Sequence, residues 1–376
     1  MKKILFVSHD ASLAGAPLVL LYLMEWLREN HSKEYEIGIL HLNGGEIEKS
    51  FNKVANYVYN IKPRNNTSLV LRVVNKLSQG KFEKYYAQKC INTIARFNYD
   101  IIYSNTVVSL SSAIQIKRKT KSTVKLVAHV HEMHSSLKYY IQQPTEIIKY
   151  IDKVIAVSEA VKKDLMIQWD LDVKRISTVY EFTKINLNKS LKSQSKKFIV
   201  GGSGKTGWRK GHQLFIQVAN YINKYHPNID IEFQWVGKIG LLGQIIVDED
   251  LRKLNLIDKV NFVGQQQNPH QYFNNFNLFL MTSREDPFPL VCIEVGMLGK
   301  PIICFDQATG TQEMLVNGGG KIVPYLDIER MAEEVINYFL NKNELKKDSD
   351  IVKQVFSDFT PENKCPQILS ILRSLT

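Results

Sequence analysis

Residues 283–301 read SREDPFPLVCIEVGMLGKP. The stretch places an acid, Asp286, in a loop stiffened by Pro287 and Pro289, and a second acid, Glu294, eight residues further on. From Leu290 onward the apolar residues Leu290, Val291, Ile293, Met297 and Leu298 recur at helical spacing, and Gly299 with Pro301 stops the helix. On one unbroken helix, eight residues would hold the two carboxylates about 12 Å apart along the axis. The prolines exclude helix at the first position, so the loop can fold Asp286 back over the helix N-terminus. Two carboxylates then face one ligand beside a positive helix end, which suits a polyol carrying phosphates. The plainer alternative is a solvated acid in a turn plus an ordinary surface glutamate. Against it, Glu294 sits inside an otherwise apolar helix between two apolar strands.

The pattern S-x-x-D-P-F-P-L-V-x-I-E-x-x-x-x-G-K-P resembles the E-x7-E segment of the retaining, nucleotide-sugar-dependent glycosyltransferases with the GT-B fold, the family 4-like "glycosyl transferases group 1". The resemblance implies an α/β protein of two Rossmann-like domains facing each other across a cleft. It also implies that the first acid contacts the transferred sugar and the second the nucleotide ribose. Asp286 stands where the family has Glu, with Glu285 just before it, so either acid is a candidate for the sugar. Glu294 matches directly. Pro287, Phe288, Leu290 and Val291 belong to the same implied donor-binding segment.

The 376 residues suit two domains of ordinary size, and 44% hydrophobic content makes them globular. The opening MKKILFVSHD reads as a basic start and a strand; its apolar run is too short for a signal peptide. No stretch approaches the length that spans a bilayer. Four scattered cysteines, Cys90, Cys292, Cys304 and Cys365, fit reduced thiols in a cytoplasmic protein. A formal charge of +12 matches nucleic acid, an anionic membrane face or phosphorylated ligands, or simply keeps the chain soluble.

Residues 3–8 (KILFVS) form a buried-strand pattern, 9–17 (HDASLAGAP) a small-residue loop, and 18–27 a helix with Pro17 at its start. This is how a Rossmann-type half opens, with the helix N-terminus open to an anion. The fingerprint G-x-G-x-x-G is absent, which disfavours a dehydrogenase. In the resembled family a glycine loop here meets the donor diphosphate, and Gly15 takes that place. Short apolar strands follow at 36–42, 99–104, 124–130 and 153–157, each before helix-compatible sequence, so the sheet is mostly parallel. Residues 61–89 differ. Lys62, Arg64, Arg72, Lys76, Lys81, Lys84 and Lys89 interleave with apolar and aromatic residues, and Glu83 is the one acid. Two readings stand: a surface lying on anionic lipid, peripheral to the inner membrane face, or a packed helix pair with solvated lysines.

Residues 128–134 (AHVHEMH) end a strand in histidines. The zinc-protease spacing H-E-x-x-H fails at Ser135, and a His129, His131, His134 metal site lacks further ligands nearby. His131 instead falls at the carboxyl edge where open α/β sheets bind ligands, with His129 a competitor on the same face. The resemblance makes His131 a donor-sugar contact, with Glu132 its neighbour. Ser158 caps the helix after the strand at 153–157. The lysine/serine-rich run 183–197 is the best linker. These features give domains at 1–182 and 183–359, and the resemblance sends a final helix, 360–376, back to brace the first.

Residues 198–211 (FIVGGSGKTGWRKG) open the second half, and the spacing around Gly204-Lys205-Thr206 is wrong for a P-loop. Lys205, Arg209 and Lys210 precede a helix, which makes an anion site or merely a basic helix cap. The family has an Arg…Lys-Gly pair that neutralises the donor diphosphate. Lys210-Gly211 matches its second half, while Arg209 or Lys205 substitutes for the missing arginine. Strands follow at 231–237, 260–264, 278–282 and 301–305, and the resemblance reads 318–320 as a closing turn.

The expectation is a transferase that moves a sugar from a nucleotide-diphosphate donor to a glycan or lipid-linked acceptor in cell-surface polysaccharide synthesis. Cationic side chains would hold the diphosphate without a metal or other cofactor. A GT-B epimerase or phosphorylase would share the fold. A nucleic-acid binder would need a basic stripe with a recognisable motif, and none is evident.

Overall fold

A computed structural model of the chain describes residues 1–63, 78, 80–120, 123–185 and 197–376. It divides into two compact units, Met1–Thr183 with Pro361–Thr376, and Lys184–Thr360. Much of the basic segment 61–89 (64–77 and 79) and most of the linker run (186–196) lie outside the described residues, and with them Arg64, Arg72 and Lys76.

The N-terminal unit is built on β1 (Lys2–Ser8), β2 (Tyr35–His41), β3 (Tyr57–Asn60), β4 (Ile101–Asn105), β5 (Lys125–Val130), β6 (Lys153–Ala156) and β7 (Ile176–Thr178). They form one sheet in the order β3-β2-β1-β4-β5-β6-β7, and every pairing is parallel. The central strands are covered on both faces, so their sequences are apolar without alternation: Ile4, Leu5, Phe6 and Val7 are all fully buried. The C-terminal unit repeats the plan with β8 (Phe198–Ser203), β9 (Ile231–Val236), β10 (Val260–Phe262), β11 (Leu278–Met281), β12 (Ile302–Phe305) and β13 (Gly320–Val323). Its parallel sheet runs β10-β9-β8-β11-β12-β13 around a core that includes Phe215, Trp235, Phe305 and Tyr338.

In each unit the first strand has the second on one side and a later strand on the other. The connections therefore leave in opposite directions at β1/β4 and at β8/β11. Helices diverge there, which opens a crevice at the carboxyl ends of those strands. The turns after β1, β4, β8 and β11 leave from these two points.

Three differences from the sequence reading have local causes. The first helix spans Gly15–His31, so Gly15 is its first residue rather than part of the preceding loop. Pro17 is tolerated in the first turn because its missing N–H would have no helical partner there. Strand β3 was not anticipated: its four residues are all half-buried at a sheet edge. Strand β13 starts at Gly320, inside a glycine run that reads as a turn. The helix Pro361–Arg373, which packs on the Gly15–His31 helix, contains Pro366.

Gly211 shows how tightly the second crevice is made. It precedes the His212–Tyr225 helix with φ +67°, and a Cβ there would lie 1.9 Å from the Thr282 carbonyl oxygen. Gly211→Ala is therefore expected to lose about 2–4 kcal/mol, through left-handed backbone strain plus the clash. That is a fall of ~5–10 °C in the melting midpoint, and an unchanged midpoint would contradict this account.

Candidate functional site

In the C-terminal unit the turn after β8 and the loop after β11 are fastened together. Lys210 Nζ meets Asp286 Oδ2 at 2.5 Å, Arg209 Nη1 lies 3.4 Å from the same oxygen, and Ser283 Oγ donates to it at 3.4 Å. Arg209 Nη1 also donates to the Glu285 carbonyl (3.1 Å), and the Arg284 N–H to the Arg209 carbonyl (2.8 Å). A third loop joins from the end of β12: the Asp286 N–H donates to Ala308 O at 2.8 Å and Gly310 N–H to Pro287 O at 3.1 Å. Asp286 is 4% exposed. Burial alone would raise its pKa, but Lys210 and then Arg209 outweigh it, so the carboxyl sits below its ordinary value and stays ionised.

Leu290–Met297 is the helix that follows. Pro289 precedes it in an extended conformation and no side chain caps it, so the N–H groups of Leu290 and Val291 open onto the loop. Glu294 projects from this helix with its Oε1 3.8 Å from His270 Nε2. The buried Cys292 thiol shows how close these groups lie. Burial drives its pKa up to about 12, and Asp286, Lys210 and Glu294 all act on it electrostatically.

The N-terminal unit assembles a second cluster at its own crevice. His131 Nδ1 is 2.6 Å from Glu181 Oε1, and its Nε2 is 3.1 Å from Asn105 Oδ1. The Asn105 amide is oriented because its Nδ2 donates to the Ala16 carbonyl in the first turn of the Gly15–His31 helix. Both imidazole nitrogens therefore face oxygens, and two contacts need two hydrogens. A neutral ring supplies one. Burial, with His9 adding to it, lowers the His131 pKa to about 3, which disfavours a lone imidazolium there. Thr106, which follows β4, holds φ +84° while its Oγ1 meets His9 Nδ1 at 3.2 Å. The Glu132 carboxylate accepts the backbone N–H groups of Val107 and His131.

Of the sequence candidates, the structure brings Arg209, Lys210, Asp286 and the backbone of Glu285 to one point, with Pro287, Leu290 and Val291 following directly. Lys205 is exposed on the same turn. The Phe288 ring is buried and stacks on Phe359 (5.5 Å, 11°), so only the Phe288 backbone is open to a ligand. Gly15 and His131 belong to the other unit, where Asn105 links His131 to Ala16, the residue after Gly15. His129 is fully buried against the Tyr103 hydroxyl (2.7 Å), and His134 lies exposed beside Gln168. Among the described residues no group of three His, Cys, Asp or Glu is arranged to hold a metal ion. Glu181, Asn105, His9 and Arg284 escaped the sequence reading. The signal available for Asn105 and His9 was a polar residue closing, or just past, a buried apolar strand.

The model "Glycosyltransferase Family 4" matches residues 15–185 and "Glycosyl transferases group 1" matches 183–355. The chain belongs to this glycosyltransferase family, and its fold is GT-B. It resembles an uncharacterised glycosyltransferase of Methanocaldococcus jannaschii at 26% identity, over 44% of this chain and 43% of that protein. It also resembles the lipopolysaccharide core biosynthesis mannosyltransferase LpsB of Rhizobium meliloti at 24% identity, over 61% of this chain and 67% of that one. The aligned part thus spans less than half of the archaeal relative. Among solved structures, Anabaena HepE in complex with UDP-glucose superposes with a TM-score of 0.79 at 19% identity over the full length of both chains. The lipopolysaccharide outer core galactosyltransferase WaaB does so with 0.76 at 18%, again over both full lengths.

His9, His129 and His131 are all lowered by burial, His129 well below its ordinary value. The unfolded chain binds protons at these positions near pH 6.5 and the folded chain does not, so stability is flat above that pH and falls below it. The expected slope is up to about 1.4 kcal/mol per pH unit for each histidine, read from unfolding midpoints between about pH 7.5 and about pH 5.5. His129→Leu should remove one histidine's share of that slope. Midpoints that do not move over this range would mean these rings are charged in the fold.

Proposed function

We propose that this chain is a retaining glycosyltransferase that moves a hexosyl group from a nucleotide-diphosphate sugar, with UDP as the carrier, to a glycan or lipid-linked acceptor in cell-surface polysaccharide synthesis. The observation that carries the proposal is the buried Lys210–Asp286 pair, with Arg209 against it and the uncapped Leu290–Met297 helix just beyond. The UDP carrier is supported by the HepE complexes with UDP and UDP-glucose, and the acceptor class by the role in LpsB's name.

Breaking the bond between a sugar and a diphosphate puts positive charge on the anomeric carbon and negative charge on the leaving phosphate. Lys210, Arg209 and the N–H groups of Leu290 and Val291 take up the negative charge in a fixed arrangement that needs no reorganisation as the bond breaks. Lys205, exposed on the same turn, adds to that field. The contacts on Asp286 all fall on Oδ2, which leaves Oδ1 to accept from a sugar hydroxyl. Glu285 is the alternative acid for the sugar, and Glu294 grips the ribose. In the N-terminal unit His131, its pKa held low by burial, is a sugar contact rather than a base. Gly15 begins a helix whose N-terminus suits an anionic group such as a phosphate. The acceptor attacks on the face the phosphate leaves, which retains the anomeric configuration.

Docking of residues 61–89 on an anionic membrane face, which would keep the enzyme peripheral to the inner membrane, is supported by the described helix Lys81–Ala95. It exposes Lys81, Lys84, Tyr85 and Lys89. Among the described residues no helix is long and apolar enough to cross a membrane.

A true donor stabilises the folded form by mass action, about 2.7 kcal/mol at one hundred times its Kd. UDP-glucose, UDP-galactose, UDP-N-acetylglucosamine and GDP-mannose are the panel to test by thermal unfolding. Glu294→Ala should fold normally, lose ~10- to 100-fold in donor affinity and lose transfer, since hydrogen bonds to a charged group contribute about 1.5–3 kcal/mol. Equal stabilisation of wild type and Glu294→Ala by the donor would remove Glu294 from the site.

A further inference from the structure

The four tryptophans of the chain are not alike. Trp26, Trp169 and Trp235 are 9, 1 and 1% exposed, whereas Trp208 leaves 60% of its surface open. It lies in the turn between β8 and the His212–Tyr225 helix, two residues before Lys210. Leaving an indole in water forfeits a burial gain of a few kcal/mol, so an exposed one held in a fixed position calls for a ligand.

Trp208 is held. The Arg284 guanidinium carbon lies 5.4 Å from the indole centroid, and Arg284 Nη1 donates to the Trp208 carbonyl at 2.7 Å. The Arg284 N–H is bonded to the Arg209 carbonyl, and Arg209 in turn to the Glu285 carbonyl and the Asp286 carboxylate. The ring is thus mounted on the same two clamped loops that carry Lys210 and Asp286. A guanidinium packed on an aromatic ring also restrains the loop at its tip.

Two kinds of ligand stack on an indole here, a nucleobase or the C–H face of a hexopyranose. Position decides between them. In the proposed donor reading, on which this inference rests, the ligand runs from the sugar at Asp286, through the diphosphate, to the ribose at Glu294 and then the base. Trp208 is fastened to residues 284–286, the sugar end, and not to the helix that bears Glu294. Asp286 itself is nearly closed to water, so the reacting sugar lies deep, and Trp208 stands outside it. A ring placed against Trp208 is the next sugar outward, one that must enter and leave at each turnover.

We infer that Trp208, backed by Arg284, is a stacking platform for a hexopyranose ring of the acceptor. Because the other three tryptophans are buried, acrylamide quenching of the fluorescence of the intact protein reports mainly on Trp208. Maltotriose, chitotriose, mannotriose and galactobiose serve as probes, each with and without UDP. At least one is expected to protect the indole saturably, while UDP alone does not. Trp208→Ala should leave stabilisation by UDP-glucose unchanged and raise the acceptor KM about tenfold, with Trp208→Phe recovering much of the loss. Protection by UDP alone, or a weaker UDP-glucose effect in Trp208→Ala, would assign the ring to the nucleotide and overturn the inference. Failure of every saccharide to protect would overturn it too. If no nucleotide sugar stabilises the wild type, the donor reading fails by itself, and saccharide protection would still establish the platform.

Discussion

The contact between the Lys210 ammonium and the Asp286 carboxylate is the constraint on which the C-terminal site depends. Both side chains are largely withdrawn from water, at 18 and 6% exposure. A carboxylate in such a place would be protonated or paired, and here the cations win: its pKa falls in spite of burial. Removing one partner of such a pair typically costs about 3–5 kcal/mol, because the other is left charged and dry. The pair therefore pins the turn after β8 to the loop after β11, and the backbone bond from Asp286 to Ala308 adds the loop after β12. The charges do not cancel locally. Lys205, Arg209, Lys210 and Arg284 are four cations against two acids, Glu285 and Asp286. The surplus is positive, set at an uncapped helix start, and an anionic ligand is what would neutralise it.

That these loops meet at all follows from strand order. A parallel sheet whose connections reverse direction leaves one gap at the carboxyl edge where no helix covers the strand ends. In the C-terminal unit the gap falls at β8/β11, and the residues just beyond those strands are Gly204 to Lys210 and Ser283 to Asp286. In the N-terminal unit it falls at β1/β4, and the residues just beyond are His9 and Thr106, with His131 following on β5. Chemistry collects at both gaps because there side chains from different strands converge without the sheet having to distort. The small residues Gly204, Gly211 and Gly237 let backbones close up: a Cβ on Gly237 would lie 2.0 Å from the Gly204 carbonyl.

The same physics sets what the sequence could disclose. Strands buried on both faces, such as 3–8, 124–130 and 278–282, read plainly because burial leaves continuous apolar runs. The two parallel sheets and the membership of a GT-B family were legible for that reason, with the 283–301 motif. Edge strand β3, half-buried throughout, and β13, beginning in glycine, carry no such run. Within the site the individual charges were visible but their pairings were not. Lys210 and Asp286 are 76 residues apart and His131 and Glu181 are 50 apart, and no local pattern reports a contact at that separation. Arg209 approaches Asp286, whereas Lys205 stays on the surface of the turn, a difference of place that the sequence does not report. Phe288 shows the converse failure. Inside a binding motif an aromatic residue reads as a ligand contact, yet its ring is core.

The His131 cluster carries the argument from placement to chemical role. A histidine at a strand end could accept or donate, and its ordinary pKa allows both. Glu181 fixes the ring in place. Nδ1 is engaged by that carboxyl group, and Nε2 faces an amide oxygen whose own orientation is set by the Ala16 carbonyl. Asn105 is thereby a polar hinge between the start of the first helix and the imidazole. A ligand hydroxyl that replaced the Asn105 oxygen would meet a ring whose orientation is already fixed. Glu181 does this from a position just before the linker run, where neither composition nor spacing marks it, and its effect depends on burial. In water the same pair would be two independently titrating groups. At the sheet edge burial, with His9 adding to it, lowers the His131 pKa to about 3.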